Sequence, residues 1–196
     1  MNYTELEKKI ADSVRAIYFA EEKAPFPYHN LMHTIRVVEK CEEIARYYLL
    51  KEEELFIVRT AAWFHDIGHL SGGFEGHEER GVALMTPCLQ KLEVPAATID
   101  IIARCIMATR YPPHPKDLYE EILCDADSFH FGTEYFKQTD PAVRKEVELR
   151  TGKVITGWRN KSIQMLEHHR YFTSYCRQWL EEGKKENIRW LRSLPE

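Results

Sequence analysis

Several kinds of segment are missing from this chain of 196 residues, and each absence removes a class of protein. No apolar run approaches the ~18 residues that a membrane-spanning helix requires, so no membrane association is expected. The first residues, Met1-Asn-Tyr-Thr-Glu-Leu-Glu-Lys-Lys9, are polar and helix-like and carry no apolar signal-peptide core. No CxxC pair occurs. Cys41, Cys88, Cys105, Cys124 and Cys176 are scattered through helix-like segments and read as buried thiols, so a reducing, cytoplasmic setting is expected. No basic run exceeds a few residues and the formal net charge is -4. General nucleic-acid binding, which needs a Lys/Arg-rich face, is therefore not expected. Small charged substrates stay open, because a metal can supply local positive charge. No stretch alternates with period two for long enough to form a strand. There is no repeat, no low-complexity segment and no linker to split the chain. The expectation is one all-α domain over residues 1–196, with a composition ordinary for a globular protein.

What is present is helical periodicity. Residues 4–22 carry Leu6, Ile10, Val14, Ile17 and Tyr18 on one face, with Thr4 and Glu7 at capping-box spacing. The segment Lys23-Ala-Pro-Phe-Pro27 cannot continue this helix, because Pro25 and Pro27 lack an N–H and restrict the residue before them. Asn30 is placed to cap a helix running to about Leu50, supported by Leu31, Ile35, Val38, Cys41, Ala45 and Tyr48. A helix over 52–68 turns Leu55, Val58 and Ala62 inward and is closed by Gly68 and Ser71-Gly-Gly73. Beyond Gly76 a helix runs to about Leu92, with a bend or restart at Pro87. Helices over 96–109 and 117–130 flank the stiff loop Tyr111-Pro-Pro-His-Pro115. Asp140-Pro141 reads as a helix start, and 141–151, 157–169, 171–182 and 184–193 continue as helices. Trp158, Tyr171, Phe172, Trp179 and Trp190 recur at helical spacing and are expected in the core.

Against this background the stretch Thr60-Ala-Ala-Trp-Phe-His-Asp-Ile-Gly-His69 is unusual. An apolar helix ends in three metal-competent side chains. Six of the nine histidines lie between residues 29 and 114. His29 and His33 are four apart, as are His65 and His69, a spacing that shares one helix face. Asp66 points about 100° away from His65 around a helix, but at a helix end both can reach one ion. His33, His65, Asp66 and an Asp of Asp125-Ala-Asp127 lie on apolar helices, so each needs a partner if buried. A shared Mn, Fe, Co, Ni, Zn or Mg ion satisfies them together, while separate hydrogen bonds satisfy them one by one. His130, His168 and His169 are expected to be surface or hydrogen-bonded residues, and Glu52-Glu-Glu54 a solvated helix start.

These motifs resemble the HD-domain superfamily of metal-dependent phosphohydrolases. Tyr-His-Asn-x-x-His, Trp-Phe-His-Asp-Ile-Gly-His, His-Glu-x-x-Gly and Asp-Ala-Asp occur in that family's order, from about Tyr28 to Gly132. The resemblance implies an HD-type helical bundle, with a motif-bearing core over about 28–132 completed by C-terminal helices over 141–193. It also implies His33, His65, Asp66 and Asp127 as ligands, with Asp127 chosen because the family's last ligand usually follows Ala. Asp125 is then left to orient a neighbour. The opening Tyr28-His-Asn-Leu-Met-His33 and the His65-Asp-Ile-Gly-His69 element are also similar to class I cyclic nucleotide phosphodiesterases, which implies a general-acid role for His29. Those catalytic domains are much longer, and their purine-clamping glutamine region has no counterpart here. Binuclear members carry two further histidines. His77 fits the first, but Ala108-Thr-Arg110 stands where the second belongs, with His114 the nearest substitute, so one metal per chain is expected.

The implied reaction is metal-assisted hydrolysis of a small phosphate ester, a nucleotide among the candidates, as a phosphomonoesterase or phosphodiesterase. Asp66 serves as base, His29 or His69 protonates the leaving oxygen, and Glu78 positions water. Arg80, Arg110 and Lys116 are candidate phosphate contacts. Two other functions remain open: an HD-type di-iron oxygenase, which needs a full second metal site, and a metal-binding regulatory module without catalysis.

Overall fold

A helix that is apolar on every side has to lie inside a bundle. In the computed structural model, which describes residues 1–20 and 26–194, the helix leading to His65 is of this kind. The first compact unit takes in the described residues of Met1–Ala24 and His29–Asp127. Its helices are α1 (Tyr3–Ala20), α2 (Leu31–Tyr47), α3 (Glu52–Phe64), α4 (His77–Lys91), α5 (Ala96–Ala108) and α6 (Leu118–Asp127). From Leu55 to Phe64 only Arg59 escapes full burial, and α1, α2, α5 and α6 pack around α3. Burial on every face replaces the single inward face read from the sequence.

Polar groups at the rim of α3 fix its neighbours. Arg59 donates to Glu7 of α1 at 2.6 Å and to Glu42 of α2 at 3.3 Å. Tyr119 of α6 donates to Glu54 at 2.7 Å. A buried central helix held in this way is a rigid mount for whatever its C-terminal end carries.

Helix α3 stops at Phe64, earlier than expected. His65 and Asp66 follow in right-handed conformation, and Ile67–Ser71 form a 3₁₀ turn. Gly68 therefore does not close the helix. Its role is close approach: a Cβ there would fall 2.0 Å from the carbonyl oxygen of His77, the first residue of α4. Helix α4 continues through Pro87 without a restart.

The second unit takes in the described residues of Pro25–Tyr28 and Ser128–Glu196. It holds a 3₁₀ turn over Phe129–Gly132 and the helices α7 (Phe136–Thr151), α8 (Trp158–His168) and α9 (Ser174–Ser193). Phe136, Leu166 and Leu191 form its apolar centre. His130 sits between the hydroxyls of Tyr28 and Thr139, each at 2.7 Å, and His169 bonds Ser128 at 3.0 Å. His168 is exposed, its Nδ1 donating to the Gln164 carbonyl.

The described residues contain helices and turns and no strand, so the all-α expectation holds. Among them no helix is long and apolar enough to cross a membrane. Other details differ from the sequence reading. Asp140 and Pro141 lie inside α7, because the Asp140 carboxylate is taken by the Trp158 indole at 3.0 Å and the Ser162 hydroxyl at 2.5 Å and caps nothing. The expected helices 171–182 and 184–193 are one, α9. The expected 117–130 helix ends at Asp127. Trp179 is 62% exposed rather than core. Asn2, not Thr4, accepts from the start of α1, at the amide of Glu5. Cys88 is half-buried and the other cysteines are buried, all as free thiols. The expected end of the first helix at 22 and the break at Pro25 lie outside the described residues.

Candidate metal centre

Three helix ends converge on one point. Asn30 caps α2, accepting from the amides of Met32 at 2.9 Å and His33 at 3.2 Å, and so fixes the first turn that carries His33. The buried end of α3 delivers His65 and Asp66. The last residue of α6 is Asp127. Nε2 of His33 lies 3.1 Å from Oδ2 of Asp66 and 3.2 Å from Oδ1 of Asp127. Nε2 of His65 lies 3.2 Å from that same Asp66 oxygen, 3.6 Å from Asp127 and 3.4 Å from Nε2 of His33. Ligand atoms held at ~2.1 Å from one ion stand about 3.0 Å apart in octahedral and about 3.4 Å apart in tetrahedral geometry. The observed separations, 3.1 to 3.6 Å, lie within about 0.2 Å of that range.

Two further observations fit a cation. Oδ2 of Asp66 is buried and makes no hydrogen bond, although two imidazole nitrogens stand within 3.2 Å of it. Two imidazole nitrogens and a carboxylate oxygen this close together surround a common point. Nδ1 of His65 bonds the Ala62 carbonyl at 2.8 Å, and a carbonyl only accepts, so Nδ1 carries the proton. The lone pair is then on Nε2, aimed at the cluster, as a ligating imidazole requires.

The electrostatics of the cluster match. Burial by itself would lower the pKa of His33 and His65. The carboxylates of Asp66 and Asp127 outweigh it, so His33 is raised and His65 is raised well above the ordinary histidine value. Burial opposes ionisation of both carboxyls, and the imidazoles outweigh it in turn, holding Asp66 and Asp127 well below the usual carboxylate range. Two buried carboxylates demand positive charge, which either protons on the imidazoles or a divalent cation supplies. The Asp127 side chain is 35% exposed, so the cluster opens to solvent on that side.

Other sequence candidates fall around or away from this point. His69 and His77 stand near Oδ1 of Asp66, at 3.8 and 3.7 Å, and His29 lies against His69 with ring centroids 4.3 Å apart. Glu78 is buried beside His77, its carboxylate 3.5 Å from that ring. Asp125 is fully buried on α6 and is not one of the clustered ligands. The guanidinium of Arg80 is committed to the carbonyls of Gly68, Gly73 and Glu75, which pins the loop before α4 instead of reaching into the cluster. Arg110 is paired with Glu79 at the surface. His114 and Lys116 are exposed, and no contact joins them to the cluster among the described residues. The sequence reading missed the carbonyls of Ala62 and Phe74, which orient His65 and His77. A main-chain carbonyl leaves no residue-type signal, although an acceptor three residues before each histidine is what a helical turn provides.

Comparison with known proteins gives a consistent picture. The model of one family, the HD domain, matches residues 30–132. Comparison with curated protein sequences gave no match. Two solved structures are similar over 98% of this chain. One is a predicted HD superfamily hydrolase from an uncultured Thermotogales bacterium, with 21% identity, a TM-score of 0.61 and 96% of that chain covered. The other is the Lin1889 protein from Listeria innocua, with 15% identity, a TM-score of 0.63 and 97% covered. At these identities the likeness is one of fold.

Proposed function

From the premise that this chain belongs to the HD domain family, we propose that it is a metal-dependent phosphohydrolase acting on a nucleotide or another small phosphate ester. The observation that carries the reading is the convergence of His33, His65, Asp66 and Asp127, with a buried Asp66 oxygen left unbonded at its centre. One structural relative is described as a predicted HD superfamily hydrolase, which supports hydrolysis as the reaction class. The near-complete coverage of both relatives supports residues 1–196 acting as a single HD-type domain.

His33, His65, Asp66 and Asp127 hold the cation. When bound, it supplies Lewis acidity, which makes water nucleophilic near neutral pH and polarises a phosphoryl oxygen. The Ala62 carbonyl keeps His65 in the ligating tautomer, and Asn30 keeps His33 in place. Asp66 accepts the proton of the attacking water as its oxygen bonds phosphorus, and the ester P–O bond breaks as His29 or His69 gives a proton to the leaving oxygen. Glu78, buried near Asp66 through His77, positions that water. The open side at Asp127 admits the substrate.

The test is the purified protein with Mn, Co, Ni, Zn or Mg against phosphomonoesters, nucleotides and cyclic nucleotides. Metal-dependent turnover that Asp66→Ala abolishes is the expected result, and full activity in that variant would overturn the assignment.

A further inference from the structure

The loop Ser71-Gly-Gly-Phe-Glu-Gly76 joins the 3₁₀ turn to α4. Glycine in half of its positions would leave it loose. The fold ties it down instead. Three consecutive carbonyls are held by side chains of the first turn of α4. Arg80 donates to the carbonyl of Gly73 and, at 2.9 Å, to that of Glu75, while Nδ1 of His77 donates to the Phe74 carbonyl between them at 2.7 Å. Nε of Arg80 also reaches the Gly68 carbonyl at 2.9 Å, so one guanidinium grips both ends of the segment.

Two of the glycines exist for this arrangement. A Cβ on Gly72 would fall 2.8 Å from Cζ of Arg80, and Gly76 has φ +73°, in the left-handed region that glycine favours. What the tethered loop carries is Phe74. Its ring stands at a steep angle to those of His29 and His69, with centroids 6.3 and 5.7 Å away, and it is only half-buried. An apolar ring that is held at its own backbone and left partly uncovered offers a surface to a ligand.

We infer that Phe74 is a specificity-determining residue, which packs against a flat, apolar ring on the leaving group of the phosphate ester, and that Arg80 is the positioning residue that holds it there. The inference rests on the proposed function, in which His29 or His69 protonates the leaving oxygen. The atoms beyond that oxygen then lie beside these two imidazoles, and Phe74 is the aromatic side chain that touches both. Arg80 binds no phosphate in this account. It acts through the loop backbone.

The test compares benzyl phosphate with cyclohexylmethyl phosphate, hydrolysed by the full chain with Mn(II). The two leaving alcohols are alike in size and basicity and differ in whether the ring is flat and aromatic. Wild type is expected to favour the benzyl ester in kcat/KM by about 2- to 10-fold, the worth of one aromatic pair. Phe74→Leu is expected to remove that preference, and Phe74→Tyr, which keeps the ring, to retain it. Arg80→Lys keeps the charge and loses the three-way grip, so the preference is expected to go there too, with Mn(II) affinity held within about twofold. A merely structural role for Arg80 would lower both esters equally, and that result overturns its part. A preference that survives Phe74→Leu overturns the role of Phe74. Wild type that hydrolyses phosphate esters without favouring the benzyl one overturns the inference and leaves the proposed function standing, and it needs no variant to fold. Wild type that hydrolyses no phosphate ester overturns both.

Discussion

Nδ1 of His65 donates to the carbonyl oxygen of Ala62 at 2.8 Å, and this bond decides what the other ring nitrogen does. With the proton fixed on Nδ1, the lone pair of Nε2 points between Asp66 and Asp127. Without a cation a proton takes that lone pair, which is why His65 is raised well above the ordinary histidine value despite burial. Proton and metal compete for one pair of electrons.

The competition has a sign. His33 and His65 are raised, so their contribution to metal-free stability is complete below the unfolded value of ~6.5 and is lost as pH climbs through the folded values. Asp66 and Asp127 are lowered, so theirs is complete above ~3.9 and is lost in stronger acid. The metal-free protein is therefore most stable between roughly pH 4 and 6.5 as far as these groups are concerned. Cation binding needs neutral imidazoles, so stabilisation by Mn(II) grows as pH rises above ~6.5. Thermal melts with and without Mn(II) across that range measure it. A gain independent of pH contradicts the assigned ligands.

Asp66→Asn removes the charge and keeps the shape. The increase in melting temperature on adding Mn(II) is expected to vanish, and metal affinity to fall by at least about 100-fold, since even outer partners of a ligand cost 10–100-fold. Circular dichroism checks that the helices remain. Unchanged affinity would place the metal elsewhere.

Asn30→Ala tests how the α2 cap supports the site. Loss of the acceptor for the Met32 and His33 amides is expected to cost about 1 kcal/mol in urea unfolding. Because His33 sits in that first turn, metal affinity is expected to fall as well. A stability loss with undiminished affinity would show that His33 is positioned without the cap.

Gly68→Ala puts a methyl group against the His77 carbonyl, at a spot where a Cβ would stand 2.0 Å from the oxygen. The 3₁₀ turn and the start of α4 have to separate, at an expected cost of about 1–3 kcal/mol. Urea unfolding of the variant measures the cost, and an unchanged midpoint would show that the turn and α4 part freely.

Much of the site was legible because its ligands are scarce residue types on apolar helices. His33, His65, Asp66 and Asp127 stand out by type and spacing, and Asn30 by its place before the α2 periodicity. Features that depend on long-range contact were less legible. The helices expected over 171–182 and 184–193 are one, α9, and at Gly183 between them a Cβ would fall 2.0 Å from the Gly132 carbonyl. Asp140 reads as a cap, yet its carboxylate serves Trp158 and Ser162. Arg80 reads as a phosphate contact, yet backbone carbonyls take its guanidinium. In each case the local signal was genuine and a partner distant in sequence decided its use.

The most direct test of the account is phosphate-ester hydrolysis by the wild-type protein before and after removal of bound metal with a chelator. Turnover is predicted to disappear on stripping, to return when Mn(II) or another divalent cation is restored, and not to return in Asp66→Asn. Undiminished turnover by fully stripped protein would contradict a metal-dependent site at His65 and Asp66.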